Sequence, residues 1–245
     1  MHSFILTGQK SKILTGVYAM SYDEIIALFE KNANPENVLG MQRFGITAKK
    51  VYGIPIPFLR GLAKKIGKDH ELALRLWENQ SRETRILAGM IDSPEKVTET
   101  QIERWVSEFD SWEICDGSCM NLFEKTSFSW DKAVEWSSRD QEFVKRAGFV
   151  LMARLAVSDK KARDERFEIF FPIMLREAND NRNFVKKAVN WALRQIGKRN
   201  EALRAKALNC ARSMMSLDST SARWIAADAI RELESEAVKK RLQKM

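Results

Sequence analysis

Four stretches decide the fold: RILAGMI (85–91), VKRAGFVLM (144–152), VKKAVNWAL (185–193) and ARWIAADAI (222–230). Each sets a basic residue just ahead of a small residue and an apolar run at helical spacing. The small residues Ala88, Ala147, Ala188 and Ala226 fall 59, 41 and 38 positions apart. The first interval has room for one more unit, and the segment from Trp112 to Leu122 lies inside it. A diverged period of about 30–40 residues built from helix pairs marks an α-solenoid of the HEAT or armadillo kind, because a single pair cannot bury its own apolar face. The expected fold is all-α, a curved solenoid of HEAT-like helix pairs whose inner helices line a concave, basic groove. A four-helix bundle repeated twice is the competing architecture.

Outward from these stretches, apolar residues keep helical spacing almost throughout. Stripes run through Ile25, Leu28 and Phe29, through Phe58, Leu62 and Ile66, through Leu72 and Leu76, and through Ile102, Val106 and Phe109. Later stripes are Phe149, Met152 and Leu155, then Val185, Val189 and Leu193, and finally Trp224, Ala227 and Ile230. Asn34-Pro35, Gly53 to Pro57, Ser93-Pro94 and Asn179 to Asn181 punctuate them, giving about ten to twelve helices. Ser21 followed by Asp23 and Glu24 reads as a helix N-cap and an acidic first turn. Residues 21–245 are therefore expected to form a single repeat domain, and residues 1–20 an extension that is poorly ordered or non-native.

Composition narrows the function. The 245 residues are 44% hydrophobic and 30% charged, with only 11 Gly and 5 Pro, an ordinary globular balance that disfavours a turn-rich β architecture. The net charge of +8 is uneven: residues 1–100 hold 14 basic and 11 acidic side chains, 101–140 hold 4 and 9, and 141–245 hold 23 and 13. A basic C-terminal half beside an acidic middle points to a polyanion surface with a carboxylate-bearing segment set into it. Three cysteines form no disulfide framework and imply a reducing compartment. Two histidines, His2 and His70, are too few and too far apart for a zinc set, and Cys115 and Cys119 read as small core residues. No apolar run reaches 18 residues, so no membrane span is expected.

Trp112 and Asp116 are four apart in SWEICDGSC (111–119), which puts them on one helix face. Ring and carboxylate together can bracket a cationic group; the structural alternative is a core Trp beside a solvated Asp. Arg146 opens an apolar helix, and Arg154 shares its face two turns on. Lys187, Trp191, Arg194 and Lys198 form one stripe that sets an aromatic among cations, as suits a phosphate backbone or merely a solvated helix face. Gly-rich phosphate loops, Ser-His-Asp sets and Rossmann fingerprints are all missing. Chemistry would therefore fall to carboxylates or lysines, on a basic α-solenoid that binds polyanions.

At these residues the chain resembles a known family, the HEAT-like DNA alkylation repair proteins. The resemblance runs from about Met41 to Lys198 and rests on MQRF (41–44), YGIPIPFLRGLAK (52–64), SWEICD (111–116), VKRA (144–147) and VKKAVNWALR (185–194). Each is short, but their order and separations are specific. The resemblance implies a monofunctional DNA glycosylase, without lyase activity, that hydrolyses the N-glycosidic bond of N3- or N7-alkylated purines in duplex DNA. Asp116 matches the catalytic carboxylate, Trp112 and Trp191 the aromatic residues flanking the lesion, and Arg146 the arginine paired with that site. Phe44 stands where the family's type glycosylase has a tyrosine, keeping the ring and losing the hydroxyl. Phe44, Arg154, Lys187, Arg194 and Lys198 are the expected DNA contacts. The implied partner is double-stranded DNA containing alkylated purines, with no cofactor, metal or membrane, and with a monomeric protein in the cytoplasm, associated with the nucleoid. Two other functions stay open: a non-catalytic binder of branched or damaged DNA, and a HEAT-type protein scaffold.

Overall fold

The computed structural model of the chain describes residues 20–46 and 48–244, so the extension expected over 1–20 lies, apart from Met20, outside the described residues. Fifteen α-helices are present among the described residues, more than the spacing suggested. They are α1 (Tyr22–Lys31), α2 (Pro35–Arg43), α3 (Ile56–Ile66), α4 (His70–Glu78), α5 (Arg82–Ile91), α6 (Glu99–Ser107), α7 (Trp112–Asn121) and α8 (Ser129–Trp136). There follow α9 (Glu142–Ser158), α10 (Asp164–Glu168), α11 (Phe170–Glu177), α12 (Asn183–Gly197), α13 (Glu201–Met215), α14 (Thr220–Leu233) and α15 (Glu236–Leu242). The extra helices are short ones: α10 has 5 residues and α15 has 7, too few turns to show a periodic stripe.

Local chemistry sets where helices begin. Ser21 and Glu24 form a full capping box, the Ser21 amide donating to Glu24 Oε2 at 2.7 Å and the Glu24 amide to Ser21 Oγ at 3.3 Å. Asn34, Asp69, Ser81, Thr98, Ser111, Asn200, Ser219 and Ser235 cap eight further helices through their side chains.

The repeat read from the sequence is the inner layer of the structure. Helices α3, α5, α7, α9, α12 and α14 pack in that order, each against the next, while α4, α8 and α13 back α5, α9 and α14. Ala88, Ala147, Ala188 and Ala226 are fully buried on α5, α9, α12 and α14, and α7 fills the wide interval. Small residues let inner helices approach closely. At Gly148 a Cβ would stand 2.6 Å from the Ser137 amide nitrogen, so α9 and the end of α8 could not meet around any larger residue.

The last stripe needs correction. Trp224 is 41% exposed and Ala227 is exposed, whereas Ala222, Ile225, Ala226, Ala229 and Leu233 form the buried face of α14. The core here is built from alanines pressed against neighbouring helices, and the largest apolar side chain is left at the rim.

A buried polar knot joins α5 to the segment before α3. The Glu83 carboxylate accepts from the amides of Tyr52, Gly53 and Ile54 at 2.9, 3.0 and 3.2 Å, and from Arg82 Nη1 at 2.9 Å. Arg82 also donates through Nε to Glu113 on α7 at 2.6 Å. Glu83→Ala would leave three amides without their acceptor and take from the buried Arg82 guanidinium one of its two carboxylates, so it should cost about 3–5 kcal/mol. Urea unfolding of the variant against wild type checks this; a change near zero would mean that the knot does not hold the segment.

Candidate active site

Asp116 projects from the middle of α7, whose first turn is fixed by Ser111, the Ile114 amide donating to Ser111 Oγ at 3.5 Å. Arg146 meets it from α9 in a fork: Nε donates to Oδ1 at 2.8 Å and Nη2 to Oδ2 at 2.7 Å. The third arm, Nη1, donates to the Phe184 carbonyl at 2.6 Å. One guanidinium therefore ties α7, α9 and α12 together. The Asp116 side chain is 14% exposed and that of Arg146 8%, so the pair is shielded but open at one edge.

Trp112 stands one turn before Asp116 and is half-buried. Its indole Nε1 donates to the Phe44 carbonyl at 3.0 Å, which pins the end of α2 beside the site. Phe44 is 76% exposed, the most exposed of the large hydrophobic side chains among the described residues. The next residue, Gly45, has φ +74, and a Cβ there would come 3.0 Å from Phe184 Cζ. Glycine is thus required for this loop to reach across to α12. Asp116, Arg146, Trp112 and Phe44 are brought together; Trp191, half-buried on α12, lies two turns beyond Phe184 on the same helix face.

The expected DNA contacts divide. Lys187 is exposed and, among the described residues, has no carboxylate within ion-pair distance. Arg154 is engaged with Glu124, Nε to Oε2 at 2.7 Å and Nη2 to Oε1 at 3.2 Å. Arg194 pairs with Glu232 and Asp228, and Lys198 Nζ reaches Glu232 at 2.5 Å. These three cations carry internal counter-charges that sequence spacing did not reveal.

Two participants escaped the sequence reading. Phe184 supplies the carbonyl that orients Arg146, and its ring lies tilted against Phe143, ring centroids 5.5 Å apart. Continuing the Lys187–Trp191–Arg194–Lys198 stripe one turn backwards reaches it. Glu113, bound to Arg82, raises the negative potential at Asp116 but carries no sequence signal beyond its charge.

Burial pushes the Asp116 carboxyl above the usual carboxylate range, against the pull of Arg146, and Glu113 adds to the rise. Burial also works against the Arg146 charge, but Asp116 outweighs it and holds the guanidinium firmly protonated. Arg146→Gln should therefore cost about 3 kcal/mol at neutral pH. The unfolded carboxyl titrates near about 3.9 and the stranded folded one higher, so this loss should fade as pH falls through the folded value. Denaturant melts of wild type and variant across pH 4 to 8 would show a gap that narrows toward acid; a pH-independent gap would mean that packing, not charge, is lost.

The sequence from residue 25 to 233 matches the family model described as DNA alkylation repair enzyme. An uncharacterised protein of Listeria monocytogenes and one of Listeria innocua are each 24% identical over 134 residues. The match covers 53% of this chain and 60% of each relative, so the chain spans about three fifths of the curated relatives it resembles. Among solved structures, a protein from a family related to the HEAT-like repeat DNA glycosylases with affinity for branched DNA structures superposes with a TM-score of 0.70. That superposition covers 87% of this chain and 95% of the other at 19% identity, and it makes the fold HEAT-like. With the family match running through all six inner helices, the chain belongs to the DNA alkylation repair enzyme family.

Proposed function

We propose that this protein is a monofunctional DNA glycosylase that releases cationic N3- or N7-alkylated purines from duplex DNA, with Asp116 as the catalytic carboxylate. The observation that carries this reading is the forked Asp116–Arg146 pair beside Trp112 and Phe44, within a chain of the DNA alkylation repair enzyme family.

The chemistry suits so spare a site. Alkylation at N3 or N7 places a positive charge on the purine, so the glycosidic electron pair leaves with the base and neutralises it without a proton donor. The sugar is left oxocarbenium-like, and water adds at C1′ while its proton passes to the carboxylate or to solvent. Each Asp116 oxygen gives one lone pair to Arg146 and keeps another for that water and for the sugar cation. Arg146 holds the carboxylate in one orientation and keeps it ionised. The Trp112 and Trp191 faces add cation–π attraction to the charged base and sugar. Phe44 offers its exposed ring to the duplex, and Lys187 serves a phosphate. Arg154, Arg194 and Lys198 contact the strand only at the edges that their carboxylate partners leave free.

A non-catalytic binder of branched DNA is the second reading. It is favoured by the bond from Arg146 that each Asp116 oxygen already accepts and by the branched-DNA affinity of the family to which the solved neighbour belongs.

Release of free methylated base from methylated duplex DNA separates the two, and the chain supplies its own control. Glu124, just past the end of α7, makes a forked pair with Arg154 on α9 across the same 30-residue separation as Asp116–Arg146. Asp116→Asn should cut release by about 10²–10³-fold while leaving duplex binding intact; Glu124→Gln, which breaks the matched pair, should release base at close to the wild-type rate. Equal loss in both variants would reduce Asp116 to a structural residue. No release even from wild type, with duplex binding intact, would favour the branched-DNA binder.

A further inference from the structure

A cavity of about 290 Å³ opens where the last turns of α9 and α12 meet α15. Its walls carry Lys160, Lys198, Arg199 and Arg241 against one carboxylate, Asp164. Asp164 is already taken by Asn200, whose Nδ2 lies 3.0 and 2.8 Å from its two oxygens.

The cations differ in how they are held. Arg199 is locked by backbone carbonyls alone: Nη1 donates to Ala156 at 2.8 Å and to Asp159 at 3.0 Å, and Nη2 to Ala162 at 3.2 Å. Its guanidinium lies 4.1 Å from the Phe167 ring centroid, and its buried Nε has no acceptor among the described residues. Burial holds the Arg199 pKa below its ordinary value, as expected of a fixed charge with no ion-paired carboxylate. Lys198 is offset by Glu232. Among the described residues Lys160 and Arg241 have no carboxylate within 4.0 Å. After Glu232 and Asp164 are set against two of the four cations, two positive charges remain facing a concavity.

Lys198 belongs both to this cavity and to the stripe that runs back through Arg194, Trp191 and Lys187. Along α9, Ala156 on the cavity wall lies ten residues past Arg146, a rise of about 15 Å. The cavity therefore stands at the far end of the α12 stripe, about 15 Å along α9 from the candidate active site. Its volume is at the small end of ligand sites, room for a phosphate and its sugar.

We propose that this pocket is an anion subsite that seats one backbone phosphate of a DNA strand lying along the inner helices, beyond Asp116. The proposal rests on the DNA-binding half of the proposed function and not on base release.

The test uses the full chain and an undamaged, fluorescently labelled duplex, with affinity measured by anisotropy over a range of salt. Lys160→Ala/Arg241→Ala should lower the slope of log affinity against log salt by about one and weaken binding roughly tenfold at low salt. Lys206→Ala/Arg212→Ala, which removes the same charge from the outer helix α13, should stay near wild type. Equal changes in the two double variants, or none in the first, would overturn the proposal. Inorganic phosphate is the second probe. If it raises the melting temperature of wild type but not of the pocket variant while the DNA slope is unchanged, the pocket takes free phosphate and the strand assignment falls. Because these readouts are binding alone, a chain without base release that still shows the slope change would lose the glycosylase reading and keep this subsite.

Discussion

The register between stacked inner helices is the constraint on which everything else depends. A set of cross-helix pairs fixes it at constant separations. Asp116–Arg146 and Glu124–Arg154 both span 30 residues and lie eight apart along the chain. Asn190–Asp228 and Arg194–Glu232 both span 38 and lie four apart. Arg82–Glu113 adds a rung between α5 and α7. Surrounded by alanines and glycines that allow close approach, these rungs permit one alignment. A slip of one turn would strand several half-buried charges at once, which is where such pairs exert their effect, since breaking a shielded pair costs far more than forming it gains.

The candidate site is one rung with altered surroundings. Glu124 and Arg154 repeat the geometry of Asp116 and Arg146 two turns away, so an Arg–carboxylate fork cannot by itself mark catalysis. What distinguishes the Asp116 rung is its neighbourhood: an indole one turn earlier, an exposed Phe44 held there by that indole, and a third Arg146 bond to the start of α12. Each of these comes from a different inner or preceding helix. The stacking register that stabilises the solenoid is thus also what assembles the candidate site, and a shift in any one helix would displace an aromatic wall from the carboxylate.

Much of this was legible in the sequence, for identifiable reasons. Ala88, Ala147, Ala188 and Ala226 betrayed the inner layer because close packing demands small residues at fixed intervals. Trp112 and Asp116 shared a face because four residues make about one turn. The Trp224 stripe departs from the buried face because the core side of α14 is built largely of alanines, which carry little apolar signal in a sequence. Phe184 falls on the backward continuation of the Lys187 stripe, but what it gives Arg146 is a backbone carbonyl, a role that its side-chain type does not announce. The ion pairs of Arg154, Arg194 and Lys198 were missed because their partners lie 30 to 38 residues away on the next rung.

Charge shows how far a linear reading departs from a folded one. The acidic block at 101–140 looked like carboxylates set into a basic surface. In the fold it is mostly counter-charge: Glu108 serves Arg85, Glu103 and Glu135 serve Lys132 and Arg139, Glu113 serves Arg82 and Glu124 serves Arg154. Cations that look available on a helix stripe are largely spent in the same way. Under the proposed function, attraction for a strand falls to cations without a carboxylate partner among the described residues, which include Lys187 on α12 and Lys160 and Arg241 around the distal cavity. On that reading, a strand would be held less by the net charge of +8 than by where the rungs leave cations without carboxylates.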